Sequence, residues 1–385
     1  MKKDKDQSLV TLLISLFFAW KIWTFVFLLA AVVFIPLRLH FLGGGLEHYL
    51  RVPFFWAWGN FDGEHYLSIA QHGYGHGEEA FFPLYPLLMR FLVWPIRGDV
   101  YFLQAAGLFI SYFAFFLALL GLWKLLRLDF KKSITELTII LFLVFPTSFY
   151  FGSVYTESLF FALVVWSFYA ARRGWWWASG ILGAFASATR VLGIVLLPVL
   201  LVEWWTQRKN FQFSIFNFQL ISLFIIPLGL FAYMYYLYQT TGDPFAFFHT
   251  LTWFGEQRSS TLILLPQVFW RYFKILMDIN IRDPFIFTFL LESATAILFL
   301  IAAFFSFFKL RLSYALWLLG GYVLPTLSGS FSSLSRYMLP LFPAFLIAAI
   351  FLEKSPLWVK VATSFVLFVL LGIATSLFVR GYWIA

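Results

Sequence analysis

Long apolar stretches follow one another along the whole chain, separated by short polar breaks. These stretches are continuous and lack the alternation of apolar and polar residues that marks a lipid-facing β-strand. A helix needs about 20 apolar residues to cross a bilayer, and fewer where helices are broken inside the protein. The pattern therefore predicts an all-α, polytopic transmembrane helical bundle with about 10–12 spans.

The predicted spans occupy the eleven most apolar segments. They lie at 14–36, 101–123, 134–151, 157–171, 175–189, 191–206, 217–239, 284–308, 312–327, 337–352 and 361–379. The first of them follows a basic N-terminal segment and has no small-residue cleavage site, which predicts an uncleaved signal anchor. No soluble domain interrupts the pattern, so we treat residues 1–385 as a single integral membrane domain.

Two polar segments are too long to be simple turns. We call 37–100 the first long segment and 240–283 the second long segment. Each contains a short apolar stretch, Phe82–Leu92 in the first and Ile263–Met277 in the second. Such stretches are too short to span comfortably and predict helices that lie in the membrane interface. Loops of this length that are not linkers usually carry function.

The composition excludes a water-soluble protein. Hydrophobic residues make up 62% of the 385 positions and charged residues only 12%, with 53 Phe and 17 Trp. A soluble domain has about twice that charged fraction and cannot bury so many large aromatic side chains. The absence of Cys also excludes a disulfide scaffold, a thiolate metal site and a cysteine nucleophile.

The net charge of +9 is explained by membrane topology. Basic residues concentrate in short loops, such as 124–132, Arg172–Arg173 and Arg208–Lys209, whereas the long segments hold most of the acidic residues. Because Lys and Arg favour cytoplasmic loops, the N-terminus is expected inside and both long segments outside. This predicts a multi-pass integral plasma membrane protein and excludes nucleic acid as a partner.

The first long segment holds the densest set of reactive side chains. These are Asn60, Asp62, Glu64, His65, His72, Tyr74, His76, Glu78 and Glu79. The composition of this segment fits a solvated loop without a chemical role as well as it fits a reactive site. A divalent metal is a weaker alternative, because the spacing of the histidines matches no compact ligand motif. We therefore assign no metal site and no cofactor.

A second feature interrupts two apolar helices at 145–158. Glu157 in this stretch is nearly surrounded by membrane-forming sequence, and an ionisable group at membrane depth normally faces a cavity or a partner. A simple helix-terminal charge is the alternative explanation. Arg190 and Arg336 also stand beside apolar runs. Each is either a structural partner of a buried carboxylate or a phosphate clamp, for which the guanidinium fork is suited.

Several of these motifs together resemble a known family. The stretches 61–74 (FDGEHYLSIAQHGY) and 80–86 (AFFPLYP) are similar to the signature of the PIG-V-like mannosyltransferases. These are the GPI second-mannose transferases and their bacterial relatives, within the GT-C superfamily of glycosyltransferases. The later motifs FPTS, YTESLF, ATR and GDP, which begin at positions 145, 155, 188 and 242, follow in the family's order. Phe61 stands where the family has Trp.

The resemblance implies a GT-C-like bundle and an inverting transfer of a hexose. Mannose rests on family analogy alone. The family's first-loop Asp corresponds to Asp62, which we assign as the catalytic base, with Glu64 as the second candidate. Arg190 and Arg336 would meet the leaving phosphate. The remaining side chains expected to line the substrate pocket are His65, His72, Tyr74, Tyr85, Tyr155 and Glu157.

The predicted topology supports a lipid-linked donor. Nucleotide sugars are made in the cytoplasm, whereas this site is expected outside, and the sequence shows no glycine-rich loop for a nucleotide. The expected partners are therefore the bilayer, a polyprenyl-phosphate sugar donor and a glycan or glycolipid acceptor. A carrier or flippase for lipid-linked sugars is the competing class, although the repeated halves typical of transporters are not visible. A structural role in envelope assembly has no positive feature.

Overall fold

The computed structural model describes residues 2–96, 98–207, 218–254, 262–280, 283 and 285–384. Side chains are described in the same ranges, except at residues 2–9, 218, 252 and 254. Within these residues every regular element is a helix and no strand is found. The predicted all-α class is confirmed. Arg208 and Lys209, on which the orientation partly rests, lie outside the described residues, as do residues 217 and 284, the first residues of two predicted spans.

Nineteen α-helices lie in the described part of the chain. The N-terminal half contains α1 (Lys2–Phe34), α2 (Gly45–Arg51), α3 (Pro53–Trp56), α4 (Asp62–His72), α5 (Leu84–Val93), α6 (Val100–Leu126), α7 (Lys132–Leu143), α8 (Glu157–Arg172), α9 (Trp176–Thr189) and α10 (Leu196–Gln207). The C-terminal half contains α11 (Phe218–Leu223), α12 (Leu228–Thr241), α13 (Ala246–His249), α14 (Leu265–Asp278), α15 (Ile286–Lys309), α16 (Leu312–Thr326), α17 (Leu334–Tyr337), α18 (Phe342–Glu353) and α19 (Leu357–Val379).

Four helices of the described residues are long and apolar enough to cross a membrane. They are α1 from Val10, α6, α15 and α19, and they match the predicted spans at 14–36, 101–123, 284–308 and 361–379. The remaining predicted spans coincide with helices of 12–16 residues, which are shorter than a full crossing. The membrane character of the fold is confirmed, and the total of about 10–12 spans stays a prediction.

Several predicted boundaries differ from the structure, and proline explains most of the differences. The span expected over 134–151 ends at Leu143, ahead of Pro146. The span expected over 217–239 is divided by a turn at Pro227, and the span expected from 337 begins only at Phe342. Proline lacks an amide hydrogen and clashes with the preceding turn, so a helix commonly stops before it or starts at it.

The core is a bundle in which α8 packs between α6 and α9, while α7 packs on α18 and α1 on α19. Close approach of α9 to its neighbours depends on glycine. A Cβ at Gly180 would lie 1.9 Å from the Ser222 carbonyl oxygen, and one at Gly229 would lie 2.0 Å from the Ala184 carbonyl oxygen. Small residues at such contacts let helices in a membrane approach closely.

The charged motifs all fall at helix ends. Helix α4 begins at Asp62, α8 begins at Glu157, α9 ends one residue before Arg190, and Arg336 lies in the single turn of α17. The short helices expected in the long segments are also present, as α5 and α14. Their placement in the membrane interface stays a prediction, as does the extracellular position of both long segments.

Candidate active site

Four charged side chains from distant parts of the sequence contact one another in a row, which we call the charge cluster: Asp62, Arg336, Glu157 and Arg190. Arg336 Nη1 donates to Asp62 Oδ2 at 2.6 Å, and Arg336 Nε lies 3.4 Å from Glu157 Oε1. Arg190 Nη1 donates to the same Glu157 oxygen at 2.6 Å. The two carboxylates and two guanidinium groups balance in charge, so the cluster can exist in a site with little water.

The cluster is buried. The side chains of Glu157 and Arg336 are 1% and 5% exposed, and those of Arg190 and Asp62 are 14% and 17% exposed. Asp62 and Arg190 are therefore the members that retain access to a ligand. Each guanidinium has five N–H donors, so pairing through one Nη1 leaves capacity for an anion.

A strained residue precedes each of two members of the cluster, Asp62 and Arg336. Phe61, immediately before Asp62, has φ +58°, and Ser333, one turn before Arg336, has φ +64°. Residues other than Gly and Asn rarely adopt such backbone angles, and strain of this kind persists only where surrounding contacts enforce it. The Phe61 amide donates to the Phe41 carbonyl at 2.8 Å, and the Ser333 amide donates to Glu292 Oε1 at 3.0 Å.

The 145–158 stretch brings Glu157 to Arg336. Thr147 Oγ1 donates to the Ser335 carbonyl at 2.8 Å, which ties the FPTS motif to the turn that carries Arg336. Glu157 is the first residue of α8, where the helix dipole stabilises a carboxylate. Both explanations offered by the sequence therefore hold, since Glu157 is a helix-terminal charge and also faces cationic partners.

Tyrosine rings surround the guanidinium groups of the cluster. The Arg336 guanidinium carbon lies 5.4, 5.3 and 5.2 Å from the ring centres of Tyr150, Tyr155 and Tyr337. Arg190 lies 4.9 Å from the Tyr337 ring. Aromatic faces attract cations and fix the plane of a guanidinium group. Of the predicted pocket residues, Tyr155 is thus placed at the cluster.

Glu64 does not share a face of α4 with Asp62. Residues two apart on a helix point in nearly opposite directions, and Glu64 turns towards the Gly45 backbone while Asp62 meets Arg336. Burial raises the pKa of Glu64 to about 7, against the smaller opposing effects of the His65 charge and the hydrogen bond with Gly45. The two candidate bases therefore occupy different environments.

His65 joins the same helix to the turn at 78–80. Its Nδ1 lies 3.4 Å from Glu78 Oε1, and its ring stacks on Phe81 at 4.6 Å. Burial by itself lowers the pKa of His65, but the hydrogen bond with Glu78 and the nearby carboxylates outweigh it, so the pKa is raised. Burial alone would raise the pKa of Glu78, yet His65 and the Gly75 amide hold it below its usual value.

The hydroxyl groups of the other predicted tyrosines make their hydrogen bonds outside the charge cluster. Tyr74 is half-buried and donates to the Phe81 carbonyl at 2.7 Å. Tyr85 is fully buried and donates to the Gly107 carbonyl at 2.8 Å, so its hydroxyl holds α5 to α6. His72 is exposed at the end of α4, ten residues or about 15 Å along the helix from Asp62.

Glu292 is a functional-site neighbour that the sequence interpretation missed. It is 2% exposed within α15, and its carboxylate accepts from the Ser333 amide and, at 2.8 Å, from the Tyr272 hydroxyl. It therefore holds the strained turn that carries Arg336. The available signal was an acidic residue inside an apolar helix. No group of three or more His, Asp or Glu side chains in the described ranges is arranged to hold a metal ion.

An apolar groove of about 360 Å³ lies between α5, α6, α8 and α9. Its lining includes Leu159, Ala162 and Leu163, which follow Glu157 along α8. The groove therefore begins within one turn of the charged end of that helix. Its lining is entirely apolar, which suits the tail of a lipid ligand.

Comparison with solved structures finds distant likeness. ArnT from Cupriavidus metallidurans bound to undecaprenyl phosphate aligns with a TM-score of 0.49 at 14% identity, covering 93% of this chain and 76% of that one. The oligosaccharyltransferase of Archaeoglobus fulgidus in complex with Zn and sulfate aligns with a TM-score of 0.44 at 12% identity, covering 81% and 48%.

Comparison with known sequences is more specific. A GPI alpha-1,6-mannosyltransferase 2 from Homo sapiens is 30% identical over 234 residues, which are 57% of this chain and 43% of that protein. The Mus musculus protein of the same name is 32% identical over 155 residues, 36% of this chain and 30% of that protein. The matched part thus spans less than half of these relatives. The sequence model of one family matches residues 7–318, and the chain belongs to that family, the mannosyltransferases of the PIG-V type.

Proposed function

We propose that this protein is an inverting membrane glycosyltransferase. It moves a hexose, mannose by family analogy, from a polyprenyl-phosphate sugar to a glycan or glycolipid acceptor on the outer face of the membrane. The observation that carries this proposal is the charge cluster, in which an accessible carboxylate and an accessible guanidinium are held together from distant motifs. A base for the acceptor and a cation for the leaving phosphate are the two groups that such a reaction needs.

In this proposal Asp62 is the general base. Its carboxylate accepts the proton of the acceptor hydroxyl as the hydroxyl oxygen bonds to the anomeric carbon. The bond between that carbon and the phosphate oxygen breaks at the same time, and the polyprenyl phosphate leaves as an anion. The hydrogen bond from Arg336 fixes the position of the carboxylate, and a positioned base contributes about 10²–10⁴ in rate.

Arg190 is the proposed partner of the leaving phosphate. Glu157 holds one edge of its guanidinium group and Tyr337 covers a face, so the group is oriented before a ligand binds. Preorganised donors of this kind stabilise charge that develops in the transition state. The structural ion pair and the phosphate clamp, which the sequence left as alternatives, are then compatible roles of the same side chain.

The apolar groove is the proposed site of the polyprenyl chain. The groove is lined by apolar side chains, as a lipid tail requires, and along α8 its lining begins two residues after Glu157, the partner of Arg190. Lipid chains gain about 0.8 kcal/mol for each buried CH₂ group, so tail binding can supply much of the affinity for such a donor.

Glu64 stays the second candidate for the base. A pKa of about 7 suits a general base at neutral pH, but its side chain faces away from Arg336. His65, Tyr155 and Glu157 are proposed to order the pocket around Asp62. No contact with the cluster favours such a role for His72 or Tyr85.

The experiment is a transfer assay with purified protein, radiolabelled polyprenyl-phosphate sugars and a cell-envelope extract as the acceptor source. We expect one donor to be used, and Asp62→Asn to lower its transfer by about 10²–10⁴ while donor binding is retained. Glu64→Gln should be active, and Glu47→Gln, at an exposed ion pair with Arg51, is the matched control.

A dead Glu64→Gln beside an active Asp62→Asn would move the base to Glu64. Full activity in both variants would remove carboxylate catalysis. Failure of the wild-type protein to transfer any sugar, together with movement of a fluorescent lipid-linked sugar across reconstituted vesicles, would favour the carrier instead.

A further inference from the structure

A second pocket lies where the two long segments meet. Its volume is about 460 Å³, which falls within the range of small-molecule sites. The lining side chains come from both segments and are mostly polar: His76, Glu79, Thr241, Asp243, Ala246, His249, Thr250 and Trp253. None of them belongs to the charge cluster, and we call this cavity the loop pocket.

Glu79 provides a carboxylate oxygen that no hydrogen-bond donor of the described residues uses. The residue is 8% exposed, and no donor among the described residues reaches its Oε2. A buried carboxylate oxygen without a partner is costly, unless a ligand or water supplies the donor. The Tyr233 hydroxyl donates to the Glu79 carbonyl at 2.7 Å, so the backbone that presents this carboxylate is fixed by α12.

The second long segment contributes a second carboxylate with a fixed direction. Asp243 Oδ2 lies 2.6 Å from His249 Nδ1, and Asp243 Oδ1 accepts from the Phe245 amide at 2.9 Å. Two carboxylates facing one cavity repel a phosphate group. The loop pocket therefore does not suit the phosphate end of a lipid-linked donor.

Trp253 supplies an exposed aromatic surface. Its side chain is 57% exposed, and its ring centre lies 4.5 Å from that of His76. A Cβ added at Gly77, where φ is +87°, would approach the Trp253 ring to 3.1 Å, so glycine there makes room for the indole. The ring is held in place from one side and open on the other.

We propose that the loop pocket binds a saccharide unit of the acceptor. A pyranose ring presents hydroxyl donors around its rim, which suit the Glu79 and Asp243 carboxylates, and C–H faces, which suit the indole of Trp253. Sites built to bind hydroxyl groups discriminate strongly, because their polar groups stay unpaired with the wrong ligand. This inference rests on the proposed function, since it assigns the acceptor side of the same reaction.

The loop pocket is linked to the proposed base by adjacent residues. Glu79 follows Glu78, which contacts His65, and His65 lies one helical turn after Asp62 on α4. The turn at 78–80 therefore connects the two sites, because Glu79 lines the loop pocket and Glu78 contacts α4, the helix that begins at Asp62. The acceptor would be recognised by one sugar in the loop pocket while another sugar presents its hydroxyl group to Asp62.

The kinetic test uses Glu79→Gln and Trp253→Ala. We expect each to raise the KM for the acceptor at least tenfold, with the KM for the donor and the hydrolysis of donor by water unchanged. The matched controls are Glu47→Gln and Trp94→Ala, because Glu47 pairs with Arg51 at the surface and Trp94 is 75% exposed outside the pocket. An unchanged acceptor KM in both pocket variants would overturn the inference.

A binding test separates this inference from the proposed function. Saturation-transfer NMR of methyl hexosides and short mannosides with the wild-type protein should show contact at the ring C–H protons, and Trp253→Ala should abolish it. Glycerol is the control for nonspecific polyol contact. Hexoside binding in a protein that transfers no sugar would overturn the proposed function but keep the pocket assignment. Transfer activity without hexoside contact, or with contact that Trp253→Ala leaves unchanged, would overturn the pocket assignment alone.

Discussion

Asp62 Oδ2 and Arg336 Nη1 are 2.6 Å apart although 274 residues separate them in the sequence. The contact joins the start of α4 to the turn of α17, so the charge cluster forms only when these N-terminal and C-terminal parts of the fold pack together. A buried ion pair of this kind adds little net stability, but removal of one partner leaves an uncompensated charge. We therefore propose that the pair fixes the position of Asp62.

The first prediction tests this positioning role. Arg336→Ala leaves both Asp62 and Glu157 without their shared guanidinium and should lower the free energy of unfolding by about 3–5 kcal/mol. Arg336→Lys keeps the charge but loses the fork, so transfer should fall while most stability is retained. Thermal unfolding in detergent and the transfer assay measure the two effects. Arg51→Lys, in an exposed pair, is the control, and an Arg336→Ala protein as stable as wild type would contradict the prediction.

The second prediction separates the two roles of Arg190. Arg190→Met should destabilise the protein because Glu157 loses its closest partner, at 2.6 Å. Adding Glu157→Gln should restore part of that stability, since the carboxylate charge is then gone. Donor use should stay low in the double variant if Arg190 also meets the phosphate. Recovery of donor use together with stability would show that Arg190 is a structural ion-pair partner only.

Asp62 was identified from the family resemblance, whereas Glu157, Arg190 and Arg336 were identified from the sequence by one physical argument. Each of these three is an ionisable residue beside an apolar run, where only a partner or a cavity makes it tolerable. The sequence could not tell which carboxylate pairs with which guanidinium, because the contacts depend on the strained turns at Phe61 and Ser333. Glu292 was overlooked although the same argument applies to it.

The helical fold was also predictable, because hydropathy reports the apolar runs directly. The helix boundaries were less predictable from the sequence, because the apolar character of the 134–151 stretch continues past the end of α7 at Leu143. Tyr85 was assigned to the pocket from a family-like motif, and the sequence could not show that its hydroxyl donates to the Gly107 carbonyl between α5 and α6. Its role in the pocket stays a prediction.

The third prediction concerns the pH dependence of stability. Because burial raises the pKa of Glu64 to about 7, the folded protein favours the protonated side chain. Its contribution to stability is present below the usual carboxyl pKa and is lost as the pH rises through about 7. Glu64→Gln should match the wild type near pH 4.5 and exceed it at pH 8, by about 1–2 kcal/mol after screening by solvent at this half-buried site.

Unfolding midpoints of both proteins across this pH range provide the measurement. Glu47→Gln, at an exposed position, should leave the difference from wild type constant. A Glu64→Gln curve parallel to that of the wild type would show that the pKa of Glu64 is the same in the folded and the unfolded protein.

The fourth prediction is the orientation. Single cysteines at His72 and Lys131, both exposed in the structure, can be introduced into this chain without background, because it contains no Cys. In intact cells a membrane-impermeant thiol reagent should label position 72 and not position 131, which should react only after permeabilisation. The reverse pattern would place the charge cluster on the cytoplasmic side and remove the argument for a lipid-linked donor.

The last prediction concerns the apolar groove. Ala162 is 7% exposed and lines the groove on α8, so Ala162→Phe should obstruct the space proposed for the polyprenyl chain. We expect the KM for a long-chain donor to rise about tenfold or more, whereas a donor with two isoprene units, which does not fill the groove, should be little affected. Leu163→Trp tests the same space from the next position, and Ala362→Phe, at an exposed position on α19, is the control for added bulk. Unfolding midpoints of all three proteins identify any loss caused by overpacking, which typically costs about 1–3 kcal/mol. If stable groove variants weakened long-chain and short-chain donors equally, the groove would be filled by membrane lipid, and the donor tail would bind elsewhere.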